Sequence, residues 1–501
     1  MGRGYAYAVN SRGSASSRAA AQSAAPTSIH DAAATAPRPF WDDPWLHALA
    51  LALIGVCWIG ALRMGGGLQD YSGLYLLVAG LPLYLLGRGW RLPLWLHLAV
   101  AALPGSVALA ALVRFDAAGV VRVTWTAAAA LTFLGVAAWA SSLRRRVALV
   151  VMVAGVMLVD LVISWLDWFA IGDPGLRMAG GMGWHNQLGI FLAVGAVLLA
   201  AWTVLAVGLA SRLAALVAGV LFVGVLLTGS RASLILLVAA WLLLAVVGWW
   251  LLRRWVLVRL LRIGLGVAFG LLLVQLPWWL AGLRAAPTAV LSGRYPIENS
   301  TGTRIEFWWN AIQIGLQNPL AGGGWGSYRY LARCFGPKLD TVHAHNEWLQ
   351  AWAEGGVIGV LPPLVLLVAA VWAGLRRLRV VAGYRALPAA DRFVAISRDW
   401  PGWAALVATG MLLAHAMIDF DWLHPILLCL LALAAALAFR SLISRRGDGP
   451  VRSAAPVAAI LVALALTAGG YAATFLDPHQ FALGTDDTAR AEHFGGCPHT
   501  D

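Results

Sequence analysis

About thirteen apolar runs, each of roughly 17 to 25 residues and so long enough to cross about 30 Å of hydrocarbon as a helix, follow one another along the chain. They fall near 45–64, 71–87, 93–113, 120–140, 147–168, 187–207, 212–228, 232–252, 256–276, 356–374, 402–418, 423–440 and 454–474. Each run is continuous, whereas a membrane β-barrel needs short segments of alternating polarity. A lone apolar segment in lipid must satisfy its own backbone, and only a helix does so. Across 501 residues, 60% are hydrophobic and 12% charged, and the mean hydropathy is positive. That composition leaves too few polar side chains to coat a soluble globule. The expected fold class is an all-α polytopic membrane protein.

The formal charge of +13 invites a nucleic-acid reading, but the basic residues are spread over the loops between apolar runs, the pattern of an orientation signal. With the N-terminal segment cytoplasmic, 24 of the 36 basic residues fall inside, among them Arg144 to Arg146, Arg376, Arg377 and Arg398. Residues 1–44, rich in Ala, Ser, Arg and Pro, read as a disordered cytoplasmic tail. Residues 45–280 carry the first nine spans. Residues 281–355 form one long outward loop, 356–474 the last four spans, and 475–501 an outward C-terminal tail. Cys57 and Cys429 lie within apolar runs, while Cys334 and Cys497 fall on the outward side, where pairing is chemically open to them. No internal repeat stands out, and the Gly-rich Ala321-Gly-Gly-Gly-Trp-Gly326 lacks the Lys-Ser/Thr of a nucleotide-binding phosphate loop.

The polar residues that break this pattern gather on the outward side. Thr341-Val-His-Ala-His-Asn-Glu347 places His343, His345, Asn346 and Glu347 at the mouth of the tenth span. An imidazole at a helix N-terminus is held neutral and able to accept a proton. His345 is therefore a candidate base, oriented by Glu347 or Glu354, and a capping histidine is the bland alternative. Leu227-Thr-Gly-Ser-Arg231 makes a tight outer turn with a guanidinium at the surface, which serves either as an anion clamp or as a snorkelling arginine. Arg304, in Gly302-Thr-Arg-Ile-Glu-Phe-Trp-Trp309, suits an anion equally well, or else a loop ion pair with Glu306 or Glu298. Trp184-His185-Asn186-Gln187 and His415-Ala-Met-Ile-Asp419-Phe-Asp421 add titratable groups to the same side. Carboxylates between apolar spans are costly and often functional, though Asp419 can equally hold one of the arginines in place. Asp419-x-Asp421 also has the spacing of a divalent-cation pair. Asp160 is the chief charge expected in mid-span.

Taken together, Thr-Gly-Ser-Arg231 opening a span, Gly-Thr-Arg304 with Trp308, Asn318-Pro-Leu-Ala-Gly-Gly-Gly-Trp-Gly326, and His345-Asn346 separated by nine residues from Gly356 resemble the O-antigen ligase superfamily. That superfamily also takes in O-antigen polymerases and bacterial protein O-oligosaccharyltransferases. The resemblance covers roughly residues 180–430. It implies a GT-C-type glycosyltransferase with one large periplasmic loop, lying in the bacterial inner membrane with its active site facing the periplasm. It would move a glycan from undecaprenyl diphosphate to an acceptor hydroxyl, most simply on lipid A core. Carried over, His345 is the general base and Arg231 and Arg304 bind the diphosphate; beside them, His343, Asn346, Glu347, Trp308, His185 and Asp419 are expected to line the substrate site. The resemblance implies no cofactor, with metal at Asp419 and Asp421 left open, and no nucleic-acid partner. A transporter of lipid-linked sugars is the competing class, but it needs polar groups near the midplane that both sides can reach.

Overall fold

The computed structural model describes residues 43–63, 72–114, 118–172, 176–206, 208–252, 254–280, 300–335, 342–383 and 387–443. The chain divides into two units, residues 1–46, of which only the last four are described, and residues 47–501. The tail expected over 1–44 and the thirteenth span expected over 454–474 thus lie almost wholly or wholly outside the described residues. So does Cys497, whereas Cys334 is disulfide-bonded and Cys57 and Cys429 are free.

No strand occurs among the described residues. The helices are α1 (Pro44–Arg63), α2 (Ser72–Leu86), α3 (Leu94–Arg114), α4 (Ala118–Trp139), α5 (Leu143–Ile171), α6 (His185–Leu205), α7 (Leu209–Thr228), α8 (Arg231–Leu252) and α9 (Arg254–Leu280). They continue with α10 (Ser300–Gln317), α11 (Tyr328–Leu331), α12 (Glu347–Gly383), α13 (Ala389–Ser397), α14 (Trp400–His415) and α15 (Pro425–Ile443). Twelve of the expected apolar runs coincide with helices. Nine helices among the described residues are long and apolar enough to cross a membrane, and α2 and α15 hold shorter apolar stretches.

Two helices form the axis. Helix α6 is apolar all round and buried almost throughout, packed by α5, α7, α8 and α14, and α15 is buried from Ile426 to Phe439 between α4 and α14. The outer helices do the reverse: Leu242, Leu243 and Val246 on α8 and Leu261, Leu265 and Leu272 on α9 are exposed. An apolar surface of that extent is untenable in water and ordinary against lipid tails. Where helices cross closely the residues are small. A Cβ at Gly219 of α7 would stand 2.3 Å from the Gly266 backbone of α9, an approach that only the missing side chain permits.

Charge ties the bundle at the end where α14 begins. Asp399 accepts from Arg146 of α5 at 2.7 Å and from Arg377 of α12, and Arg377 also donates to the Ala438 carbonyl of α15 at 2.6 Å. All three residues fall on the side that the arginine count assigns to the cytoplasm. The tenth span is longer than its apolar run. Helix α12 starts at Glu347, nine residues ahead of the expected 356, and its backbone breaks at Gly356 (φ 59°, ψ −151°). The segment before the break is too polar to read as lipid-spanning, and it packs against α10 instead.

Candidate active site

The site is built around an interrupted helix. Asn346 caps α12, its side-chain oxygen accepting from the Trp348 and Leu349 N–H groups at 3.0 and 3.1 Å, the usual use of an Asn before a helix. His345 therefore stands ahead of the cap, not in the first turn. Its φ of +49° is rare for a residue with a Cβ and marks a conformation that the surroundings impose. Trp308 of α10 donates to the His345 carbonyl at 3.4 Å, and Phe307 lies parallel to the imidazole at 5.9 Å between centroids. Phe420 meets the ring edge-on at 5.2 Å.

The carboxylate facing this histidine is Asp419, not Glu347 or Glu354. His345 Nδ1 stands 3.4 Å from Asp419 Oδ1, with the histidine side chain 26% exposed and the aspartate 2%. Nδ1 itself is sealed, so the open part of the ring is the edge away from the carboxylate. An N–H at Nδ1 aimed at Asp419 leaves Nε2 with its lone pair, the tautomer that a general base needs. Asp419 also accepts from Asn186 Nδ2 at 2.6 Å and from its neighbour's N–H, Phe420, at 3.0 Å. Burial opposes the Asp419 charge, yet the His345 contact and the His415 and His345 charges outweigh it and hold the carboxyl below the usual carboxylate range. Asp421 goes the other way: burial raises it, and His415 only partly offsets that.

Glu347 and Glu354 hold the frame. The Glu347 N–H donates to the Ala416 carbonyl at 2.8 Å, and Glu347 Oε1 accepts from the Trp422 and Leu423 N–H groups at 2.8 and 3.2 Å. The first residue of α12 thus staples the 416–424 loop that carries Asp419. Glu354 accepts from Gln350 at 3.1 Å and pairs with Arg122 of α4 at 3.4 Å. The Arg122 guanidinium lies between Trp125 and Trp325, 5.6 and 5.5 Å from their ring centroids. His343 is half-buried and stacks on Phe420 at 4.4 Å between ring centroids. Burial above all, then the charges of His345, Arg122 and His424, lower its pKa to about 3.

The Gly-rich segment has a structural partner. At the Gly356 break, the Val357 and Ile358 N–H groups donate to the Pro319 and Leu320 carbonyls at 2.8 and 3.2 Å, while Gly323 and Gly324 N–H donate to the Ala353 and Glu354 carbonyls at 2.8 and 3.0 Å. Residues 318–326 form a clasp that takes up the backbone groups freed by the break. A Cβ on Gly356 would stand 2.6 Å from the Leu320 backbone, which explains why glycine follows the His-Asn pair at this spacing.

The two expected arginine clamps are placed differently. Arg231 opens α8 with its side chain exposed, and Arg304 is half-buried on α10, close enough to act electrostatically on His415. Neither makes a hydrogen bond or ion pair among the described residues, Glu306 included, and Glu298 lies outside them. Two arginines escaped the sequence reading. Arg177 meets His185 at 2.9 Å and lies over Gly229 in the turn before Arg231, and Arg122 comes from a helix outside the resembling region. The available signal for Arg122 was an arginine in the first turn of an apolar helix with Trp125 one turn on. Asp160, buried in α5, sits against Gly181 and outside this cluster. Among the described residues no group of three or more His, Cys, Asp or Glu is arranged to hold a metal ion, and Asp419 and Asp421 face separate partners.

These features define a class: a multi-pass helical membrane protein with a cluster of histidines and buried carboxylates at one end of its bundle. Residues 214–364 match the family model described as O-antigen ligase. That match bears out, over those residues, the resemblance to the O-antigen ligase superfamily read from the motifs. No curated protein matches the chain. The matched family implies a membrane glycosyltransferase-like enzyme of ligase or polymerase type, with a lipid-linked glycan donor and a glycan or lipid acceptor. Arg231, Arg304, His345 and Gly356 lie within the matched segment, while Arg122, Asn186 and Asp419 lie outside it.

Proposed function

We propose that this enzyme transfers a glycan from undecaprenyl diphosphate to a hydroxyl of lipid A core at the periplasmic face of the inner membrane, as an O-antigen ligase of GT-C type. The observation that carries the reading is His345 held at positive φ, its Nδ1 turned to a buried aspartate and its other edge open. His345 Nε2 takes the proton of the acceptor hydroxyl as the oxygen attacks the anomeric carbon. The bond from that carbon to the diphosphate oxygen breaks, and undecaprenyl diphosphate leaves with the electron pair. A single displacement of this kind inverts the sugar. A positioned base contributes typically about 10² to 10⁴-fold. Arg231 and Arg304 receive the charge that builds on the leaving diphosphate, and their freedom from internal carboxylates supports that role. Asp419 orients His345, Asn186 orients Asp419, and His343, Asn346, Glu347, Trp308 and His185 shape the cavity around them. The reaction needs no nucleotide, because the sugar arrives activated on its lipid, and the arginines supply the positive charge a metal would otherwise bring. The disulfide at Cys334 and the arginine distribution support a periplasmic placement of this end.

The test is the surface-glycan profile of a deletion strain complemented with wild type or His345→Ala, resolved beside the lipid-linked pool. A ladder that collapses to bare core while long polymer accumulates on the lipid supports the ligase. Core carrying one repeat identifies a polymerase instead, and two unchanged pools point to a protein acceptor or defeat the enzyme reading.

A further inference from the structure

Behind the His345–Asp419 pair stands a second arrangement of hydroxyl, imidazole and carboxylate. His415, the last residue of α14, turns Nδ1 to both oxygens of Asp421, at 2.9 and 2.7 Å, and Nε2 to the Ser233 hydroxyl at 3.3 Å. The order is that of a nucleophilic triad, but the access is missing. Ser233 and His415 are 0% exposed and Asp421 is 1% exposed, so no substrate carbon reaches the hydroxyl. That hydroxyl is also shared with Ser230 Oγ at 2.8 Å and the Asn186 carbonyl at 3.3 Å.

The connections of the chain indicate its purpose. Ser230 and Ser233 flank Arg231, and the Ser233 N–H donates to Ser230 Oγ at 3.4 Å across the first turn of α8. Asn186, whose carbonyl accepts from Ser233, donates its side-chain amide to Asp419, the partner of His345. Asp421 is two residues from Asp419 in the loop stapled by Glu347. The turn bearing Arg231 and the loop that orients His345 are therefore joined by two hydrogen-bonded paths, a buried one through His415 and a part-buried one through Asn186. We propose that Ser233, His415 and Asp421 form a positioning triad that fixes the first turn of α8, and with it Arg231, relative to His345. The inference rests on the reading of Arg231 as a diphosphate-binding group. In-line displacement requires the leaving group and the base to be held at a fixed separation, and errors of about 1 Å cost rate steeply. Fully buried hydrogen bonds are suited to that task, since a donor or acceptor stranded without water has nowhere else to turn.

The test uses the full-length protein in lipid vesicles, reading transfer from an undecaprenyl-diphosphate-linked glycan and binding of inorganic diphosphate. Ser233→Ala is expected to raise the donor KM and weaken diphosphate binding by roughly tenfold, the effect of one buried hydrogen bond, with the acceptor KM unchanged. Ser233→Cys, nearly the same size, should fall between Ser233→Ala and wild type, and it decides the matter if the alanine variant fails to insert. Because hydroxyl and carboxylate act through one imidazole, Ser233→Ala combined with Asp421→Asn should be no worse than the poorer single variant. Ser233→Ala and Ser233→Cys enzymes that lose thermal stability but keep wild-type donor KM and diphosphate binding overturn the triad and leave the transferase standing. Wild-type protein that neither binds diphosphate nor transfers glycan overturns the reading beneath it.

Discussion

Where α14 begins, Asp399 collects Arg146 and Arg377, and Arg377 reaches on to a carbonyl of α15. Where α14 finishes, 16 residues and about 24 Å away along its axis, the pairing rules change. Asp419 and Asp421 there face histidines and an amide, and Glu347 takes backbone N–H groups. Of these four carboxylates among the described residues, Glu354 is the one in an ion pair with an arginine, Arg122. Arg231 and Arg304 find no carboxylate among the described residues. A low-dielectric bundle can bury a charge only with a partner. At the first end the partners are internal and the result is a brace. At the second end they are internal for the carboxylates and unfilled for two guanidiniums, which leaves room for an anion from outside.

The sharpest break in this comparison comes from exchanging one group at each end. His345→Ala should lower transfer by about 10² to 10⁴-fold with membrane insertion and thermal stability near wild type, and Arg304→Lys should also abolish detectable ligation, because a point charge does not replace a planar fork. Asp399→Asn at the opposite end should leave turnover per folded molecule unchanged while costing about 1–3 kcal/mol of stability, since the buried Arg377 loses its charged partner. Turnover by a well-expressed His345→Ala enzyme at the wild-type rate would remove the assigned base. Loss of turnover in folded Asp399→Asn would erase the distinction between the ends.

Much of the fold was legible before any coordinates, because a membrane helix is a local property. Its length and apolarity are contained in one run of residues, and twelve runs coincide with twelve helices. The residue types of the site were legible for a related reason: His345, Asp419 and Arg304 stand out against an apolar background. Their partners were not legible. Asn186 meets Asp419 across 233 residues, and Arg122 meets Glu354 across 232. Nothing in one sequence says which turn of one helix lies against which turn of another. Glutamates near His345 in sequence looked like its orienting groups, yet the helix geometry turns Glu347 and Glu354 to other work and brings in Asp419. The Gly-rich segment was legible only as what it lacked; its role as a clasp needs the Gly356 break to be seen.

That break gives an intermediate effect. Gly356 sits in a region of backbone space that is essentially closed to other residues, a strain of about 1–3 kcal/mol, and any Cβ there also meets the Leu320 backbone at 2.6 Å. Gly356→Ala should therefore lower the melting temperature and take transfer down with it, through the clasp and not through the chemistry. Thermal unfolding in detergent beside transfer per folded molecule separates the two. An alanine variant as stable as wild type would mean that the break is not required by the clasp.

The last effect, absent at neutral pH, is a pH dependence at the His345 end. His343 has its pKa lowered to about 3, against about 6.5 for an exposed histidine. As pH falls below about 6.5 the unfolded chain binds a proton that the folded chain refuses until about pH 3. Stability is then lost through that window at no more than about 1.4 kcal/mol per pH unit. Asp419 acts in the same direction but lower. Its carboxyl is depressed in the folded state, so its contribution is complete above the ordinary carboxylate range near pH 4 and drains away only as pH drops below it. Replacing His343 by Gln should consequently flatten the melting temperature between about pH 6.5 and 4 and leave the steeper loss below pH 4 in place. Parallel curves for wild type and His343→Gln across pH 7 to 4 would show that this imidazole does not carry the acid sensitivity of this end.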